Sequence, residues 1–305
     1  MMLLQFLVLL GLVFFLNYVV IIFMVLLLVA FLVLYERKLL GFIQERKGPN
    51  VVGIFGLVQT VYDGLKLLSK NTMLYSGFFF VLIPIYGMIM SLLQWVFVPL
   101  PFLLVWVDYS ILFTFIISGL MVYVTLGCGW QSVNSYGVVG SIRSIAQMIS
   151  YEVIFFFFVM MFMFSFQNFS WFNFLDCENF NGVNFSLFLV FIWMIMTMAE
   201  LNRSPFDLVE GESELVSGFN TEYLGYNFTL LFLSEYANIW LMAVLFGVIF
   251  GHQLADTISL MLLYVLFTVV IRGFLPRLKF SDLINLTWKV CLPFIFLMMI
   301  YFLMF

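Results

Sequence analysis

The sequence predicts an all-α polytopic membrane protein with about eight transmembrane helices plus an amphipathic surface helix after the first. Three observations carry that reading. Of 305 residues, 65% are hydrophobic and only 9% are Asp, Glu, Lys or Arg, where an ordinary soluble domain has about a quarter charged. The apolar stretches run for roughly 20 residues between polar breaks, the length a helix needs to cross a ~30 Å hydrocarbon core. The short alternating segments of a membrane β-barrel are missing.

Residues 1–34 are the first span, apolar except for Gln5, Gly11 and Asn17. One helix of that length runs about 50 Å, so it is long or tilted, and two spans with a turn do not fit. A polar block from Tyr35 to Asn50 follows, closing on the turn signal Gly48-Pro49-Asn50. Roughly over 54–70, Gln59, Asp63, Lys66 and Lys70 recur at offsets 0, 4, 7 and 11, with Leu57, Val58, Val61, Leu65 and Leu68 filling the rest. That is the pattern of a helix lying on the membrane surface. Further spans are expected at 74–98, 107–127, 144–166, 183–200, 223–250, 257–275 and 285–305, all in one integral membrane domain over 1–305. There is no internal repeat, which argues against an inverted-repeat transporter.

Charge tests this map. The twelve basic residues, at 37, 38, 46, 47, 66, 70, 143, 203, 272, 277, 279 and 289, fall in or beside the loops after spans 1, 3, 5 and 7. The opposite loops hold Asp176, Glu178 and Asp256 and no Lys or Arg. By the positive-inside rule the basic loops face the side of insertion and both termini the other. The opening Met-Met-Leu-Leu-Gln has neither a basic region nor a small-residue cleavage site, so a cleaved signal is not expected.

Cys128, Cys177 and Cys291 make no C-x-x-C pair, and with the single His252 they do not complete a common zinc or cluster set. No Gly-rich phosphate loop or dinucleotide fingerprint occurs. Any redox centre is therefore expected in a partner.

The densest charge lies from Glu200 to Tyr223, where six acids and Arg203 occupy 24 residues. Ser204-Pro205-Phe206-Asp207 has the form of a helix start, with Ser as cap and Asp bonding back. Glu210, Glu212 and Glu214 have no such account; buried together, their repulsion would favour proton uptake. Glu152 enters span 4 behind Arg143, Gln147, Ser150 and Tyr151, and Glu235 lies about mid-way through span 6. Carboxylates at that depth cost several kcal/mol and face a cavity or a partner, so a relay competes with simple pairing to a neighbouring chain's arginine. The arginines have a topological alternative, holding orientation and binding lipid headgroups.

Tyr35-Glu-Arg-Lys, Gln44-Glu-Arg-Lys-Gly-Pro-Asn-Val-Val-Gly53, Ser150-Tyr-Glu152, Ala199-Glu-Leu-Asn-Arg-Ser-Pro-Phe-Asp207, Glu210-Gly-Glu-Ser-Glu-Leu-Val-Ser-Gly-Phe-Asn220 and Leu275-Pro-Arg277 occur in this order. Together they resemble the subunit 1 family of the proton-pumping NADH:ubiquinone oxidoreductase, respiratory complex I, over essentially the whole chain. The Phe- and Met-rich composition resembles mitochondrially encoded members. Thr60, where the family usually has Pro, and Asn71, where an acid is common, are minor departures.

The resemblance implies a core membrane subunit of an NADH:ubiquinone reductase that forms much of the ubiquinone tunnel and couples quinone reduction to proton translocation through an acidic relay, with ubiquinone as substrate and no redox centre of its own. FMN, iron–sulfur clusters and NADH would belong to partner subunits. It places Arg37, Arg46, Arg143, Arg203 and Arg272 at the tunnel or its interface. It places Asp63, Glu152, Glu200, Asp207, Glu210, Glu212, Glu214, Glu222 and Glu235 in an acidic series leading into the membrane arm. Partners would be the peripheral quinone-site subunits on the matrix side, antiporter-like membrane subunits and lipid, with no nucleic acid, in the mitochondrial inner membrane. Two rivals stand beside this: the membrane anchor of a related hydrogenase-type complex, and a stand-alone proton or cation carrier.

Overall fold

The computed structural model describes residues 2–70, 78–99, 107–132, 134–176, 187–207, 218–251 and 254–304. The first helix, α1 (Met2–Ile43), is 42 residues long, or about 63 Å, twice the thickness of a hydrocarbon core. It does not stop where the apolar run ends but runs on through Tyr35–Lys38 to Ile43, more than two further turns. The reason lies in its register. Val25, Val29, Leu32 and Glu36 recur at helical spacing and are all buried, so continuing the helix keeps one face on the protein.

A tight turn follows. Gly56 has φ 73°, and a Cβ there would strike the Pro49 backbone, so only glycine fits. The amphipathic segment is therefore two pieces, a 3₁₀ turn (Ile54–Gly56) and α2 (Gln59–Ser69). Helix α2 presents Asp63, Gly64 and Leu67 half-buried toward the bundle, while Val61, Leu65 and Leu68 are exposed, as a helix bedded in the membrane interface requires.

The rest are α3 (Phe78–Gln94), α4 (Ser110–Gln131), α5 (Ser135–Phe166), the short α6 (Trp171–Asp176), α7 (Leu187–Glu200), a 3₁₀ turn (Gly218–Glu222), α8 (Tyr226–Phe250) and α9 (Leu254–Phe274). The last helical rod begins as α10 (Phe280–Asn285), widens into a π-helical turn (Leu286–Cys291) and ends as α11 (Leu292–Met304). Among the described residues six helices are long and apolar enough to cross a membrane, and Phe79–Gln94 and Phe188–Glu200 are shorter apolar helices. The described residues contain no strand, and the chain is an all-α polytopic membrane protein.

Helix α8 is the axis, with 78% of its most apolar window buried. It packs against α3, α9 and α1, while α4 lies between α3 and α5, and α5 carries α7 and α11 on its other side. Helices α4 and α5 approach closely through small residues, Gly129 lying against Ser141. At one end of the bundle, Trp171 donates its backbone N–H to Ser110 Oγ at 2.9 Å and its indole N–H to Thr114 Oγ1 at 3.2 Å. At the other end gather the end of α1, α2, the start of α5, the segment 199–207, the 3₁₀ turn before α8 and the segment 272–279, joined by the contacts described next. The described segments that carry Arg37, Arg203, Arg272 and Arg277 thus share one end of the bundle.

Candidate functional site

A glutamate sits at the centre of that end. Glu36, 3% exposed, accepts through Oε1 from Arg203 Nη1 at 2.9 Å and also from Arg272 Nη1. Its Oε2 accepts from the Tyr236 hydroxyl at 2.7 Å. The Arg203 guanidinium lies 4.4 Å from the centre of the Tyr236 ring, a cation–π contact added to the ion pair. Four pieces of chain are joined here: α1, the segment after α7, α8 and the end of α9. One helical turn along α8 from Tyr236, Trp240 donates its indole N–H to the Leu28 carbonyl at 2.9 Å, fixing α8 against α1.

The segment after α7 is held by its own caps. Asn202 has φ 50°, a left-handed conformation that asparagine tolerates. The Asn202 N–H donates to the Ala199 carbonyl at 3.3 Å and the Arg203 N–H to the Met198 carbonyl at 3.2 Å, the two bonds of a Schellman cap. Ser204-Pro205 is cis, in a turn closed by the Phe206 N–H on the Arg203 carbonyl at 2.8 Å. The helix start expected at Ser204-Pro205-Phe206-Asp207 is therefore not found there: these residues follow a helix end, and Asp207 faces a different partner, Arg277 Nη2 at 3.3 Å. From α5, the fully buried Gln147 donates Nε2 to the carbonyls of Ala199 and Phe206 at 2.8 and 3.0 Å. The Leu278 N–H donates to the Pro205 carbonyl at 2.9 Å. The segment is short, polar and tied on two sides.

Beside it opens a cavity of about 130 Å³. Glu200, Asp207 and Glu235 stand in its wall with Arg203 and Arg272, and Met121, Met148, Leu231 and Phe232 supply an apolar side. Glu200 Oε2, Asn202 Oδ1, Ser204 Oγ and Asn238 Oδ1, all of wall residues, are buried with no hydrogen-bond partner among the described groups. Buried oxygens of this kind call for a donor from water or a ligand. Deeper along α5, Glu152 Oε1 accepts from Ser118 Oγ at 3.3 Å and lies close enough to Glu200 for their charges to interact. Burial in the segment after α7 would disfavour a charged Arg203, but Glu36 outweighs it and holds the guanidinium more firmly protonated than usual.

The remaining expected residues divide cleanly. Asp63 pairs with Arg37 at 2.5 Å and accepts from Gln59 at 2.9 Å, tying α2 to α1 at the rim. Glu222 accepts from Asn134 at the start of α5. Arg46 is exposed, bonded to Gln44 at 2.8 Å, and Arg143 is half-buried on α5 outside the cavity wall. Glu210, Glu212 and Glu214 lie outside the described residues. Glu36 is the residue that sequence reasoning left out of the site, read as part of a polar loop. Its place in the 25-29-32-36 register was the signal that would have found it. Among the described residues no three His, Cys, Asp or Glu side chains come together as a ligand set.

Comparison with known proteins agrees in direction. A family model described as NADH dehydrogenase matches residues 16–303. A protein of Apis mellifera ligustica is 40% identical over 295 residues, covering 94% of this chain and 96% of the relative. One from Oncorhynchus mykiss is 42% identical over 289 residues, with 88% of each chain covered. One from Branchiostoma lanceolatum is 42% identical over 279 residues, again with 88% of each covered. All three relatives carry the name NADH-ubiquinone oxidoreductase chain 1.

Proposed function

This chain belongs to the NADH dehydrogenase family of NADH-ubiquinone oxidoreductase chain 1 proteins, and on that premise we propose that it borders the ubiquinone passage of respiratory complex I. In this reading it couples quinone reduction to proton translocation. The observation that supports this most is the cavity, which gathers Glu200, Asp207, Glu235, Arg203 and Arg272 in a chain with 9% charged residues. Charge gathered at that density around one cavity is expensive in a membrane protein and marks a pathway rather than a packing solution.

Reducing ubiquinone takes two electrons and two protons. The electrons arrive from NADH through flavin and iron–sulfur centres of partner subunits. This chain's part is electrostatic. Arg203 and Arg272 fix positive charge at the cavity wall, where it favours a ligand gaining negative charge. Glu200 and Glu235 hold or release protons as that charge changes, and Glu152, beside Glu200, carries the response into the bundle. The acids from Glu210 to Glu222 extend the same series. Arg37, Arg46, Arg143 and Asp63 belong to the outer edge, where peripheral quinone-site subunits dock, with antiporter-like subunits alongside in the membrane. The loops with the basic residues would then face the mitochondrial matrix, and both termini the intermembrane side.

The test uses the intact complex in liposomes carrying Glu200→Gln or Glu235→Gln. We expect protons translocated per NADH to fall while the complex still assembles. Unchanged pumping together with unchanged quinone reduction in both variants would sink the relay assignment.

A further inference from the structure

We propose that Glu36 is a positioning residue, holding Arg203 and Arg272 on its own carboxylate so that neither turns into the cavity to pair with Glu200, Asp207 or Glu235. The inference rests on the reading of the cavity given above and adds to it the residue that sets the wall's charge.

The geometry carries it. Both arginines reach the same oxygen, Oε1, while Oε2 is taken by the Tyr236 hydroxyl. Two guanidiniums bound to one atom are close enough to repel strongly in a buried site, and only the negative charge between them makes the arrangement tenable. One carboxylate against two guanidiniums leaves a net single positive charge, and both arginines are cavity-wall residues. Of the three acids of the wall, Asp207 already holds Arg277, so Glu200 and Glu235 are the nearer alternatives for a displaced guanidinium. Removing the Glu36 charge therefore does more than loosen a contact. It leaves two like charges side by side, and the way to separate them is for one guanidinium to swing onto a wall acid.

Fold stability alone is a poor explanation of this cluster. A buried ion pair often stabilises no better than apolar side chains of the same volume. The joint between α1 and α8 is already made by Trp240 on the Leu28 carbonyl and by buried aliphatic residues around Val25, Val29 and Leu32. Tyr236 also keeps the Arg203 guanidinium on its ring face, so Arg272, 37% exposed against 14% for Arg203, is the one with room to move.

The experiment uses the assembled complex with Glu36→Gln, Glu36→Asp, and the charge-balanced pair Glu36→Gln with Arg272→Gln, each rate normalised to assembled complex on native gels. For Glu36→Gln, kcat/KM for ubiquinone is expected to fall about ten-fold or more, the scale of a lost charged hydrogen bond. Glu36→Asp should recover a good part of that loss. The charge-balanced pair should be better than Glu36→Gln alone, because it returns the cluster to the single net positive charge of the wild type and leaves no second guanidinium to repel Arg203. Normal ubiquinone kinetics in Glu36→Gln overturns the inference, as does strict additivity in the pair, which would make Glu36 a structural tie only. If Glu36→Gln does not assemble and the charge-balanced pair does, the inference stands, since charge count is then what matters; loss of assembly in both overturns it. Arg203→Gln is the arm for the underlying reading. Normal ubiquinone kinetics there removes the quinone passage from this cavity, whereas a defect there with a silent Glu36→Gln removes only the role of Glu36.

Discussion

Gln147→Leu is a direct probe of how the segment 199–207 is held. The wild-type amide spends its two N–H groups on two carbonyls, those of Ala199 and Phe206, in a fully buried site. Leucine is of similar bulk, one bond shorter, and has no donor. The Phe206 carbonyl then loses its donor, at about 1–3 kcal/mol for a buried unsatisfied group. The Ala199 carbonyl keeps the longer bond from the Asn202 N–H, so its loss is nearer the ~1 kcal/mol of an ordinary net hydrogen bond. A partial gain offsets these, because Gln147 Oε1 has no partner among the described groups and the substitution removes it. The net is about 1–3 kcal/mol, felt locally. That is about a five-fold to hundred-fold rise in local opening, and hydrogen exchange reads it. The Asn202, Arg203 and Phe206 amides, each bonded within the segment, should exchange faster by that factor in the variant complex, with peptides of α8 and α9 unchanged. Equal exchange of peptide 199–207 in wild type and variant would refute the reasoning, since it would mean that the caps alone hold the segment. A uniform acceleration over the whole chain would refute it differently, by showing that Gln147 supports the bundle rather than the segment 199–207.

Two further predictions follow from other contacts. In Gly119→Ala the new Cβ would lie 2.9 Å from Glu152 Oε1, so the carboxylate must move off Ser118; the carboxylate is the flexible end of its side chain, so the stability cost should stay near 1 kcal/mol while proton translocation per NADH drops. Assembly with normal pumping would show that the position of Glu152 is unimportant. Arg37→Ala removes a rim ion pair whose arginine is 47% exposed, so the change in stability should be about 0.2–1 kcal/mol and should shrink further in high salt. A larger or salt-insensitive loss, read from the detergent-dissociation midpoint of the complex, would mean that α2 depends on this pair for its seat.

Much of the architecture could be read from composition, and the reasons for the rest are physical. Hydrophobicity announces helices but does not say what they face, because lipid is as apolar as a protein core. Helices α8 and α9 are both apolar, yet 78% of the one and 28% of the other is buried in their most apolar windows. Nothing in a single sequence separates them. The surface helix was legible because water on one side restores the amphipathic contrast. Its break at Gly56 was not, since the contact that forbids a side chain there is with Pro49, seven residues away and brought close only by folding. The same distinction decides the site. Arg203, Arg272, Glu200, Asp207 and Glu235 were visible as charges out of place in an apolar chain, and the cavity brings them together. Glu36 was hidden by its neighbours: within Tyr35-Glu-Arg-Lys it passed for part of a hydrophilic loop. Only the extension of α1 to Ile43 puts it on the buried register with Val25, Val29 and Leu32.

Ser204 and Asn202 make the converse case. Ser-Pro-Phe-Asp has the local chemistry of a helix start, but the chain had first to close α7, and Asn202 does so in a left-handed conformation with both Schellman bonds made. Two local signals competed for the same few residues. The helix end prevailed because its cap satisfies two backbone groups at once and because Gln147 and Leu278, from elsewhere in the chain, hold the turn beyond it. Arg203 therefore emerges from a fixed backbone, held at both ends, straight toward Glu36. A guanidinium whose backbone is fixed and whose partner is buried has little freedom to follow a moving charge. Arg272, at the end of α9 and more exposed, has more, so if charge in the cavity drives a conformational step, the end of α9 is where this chain can yield first.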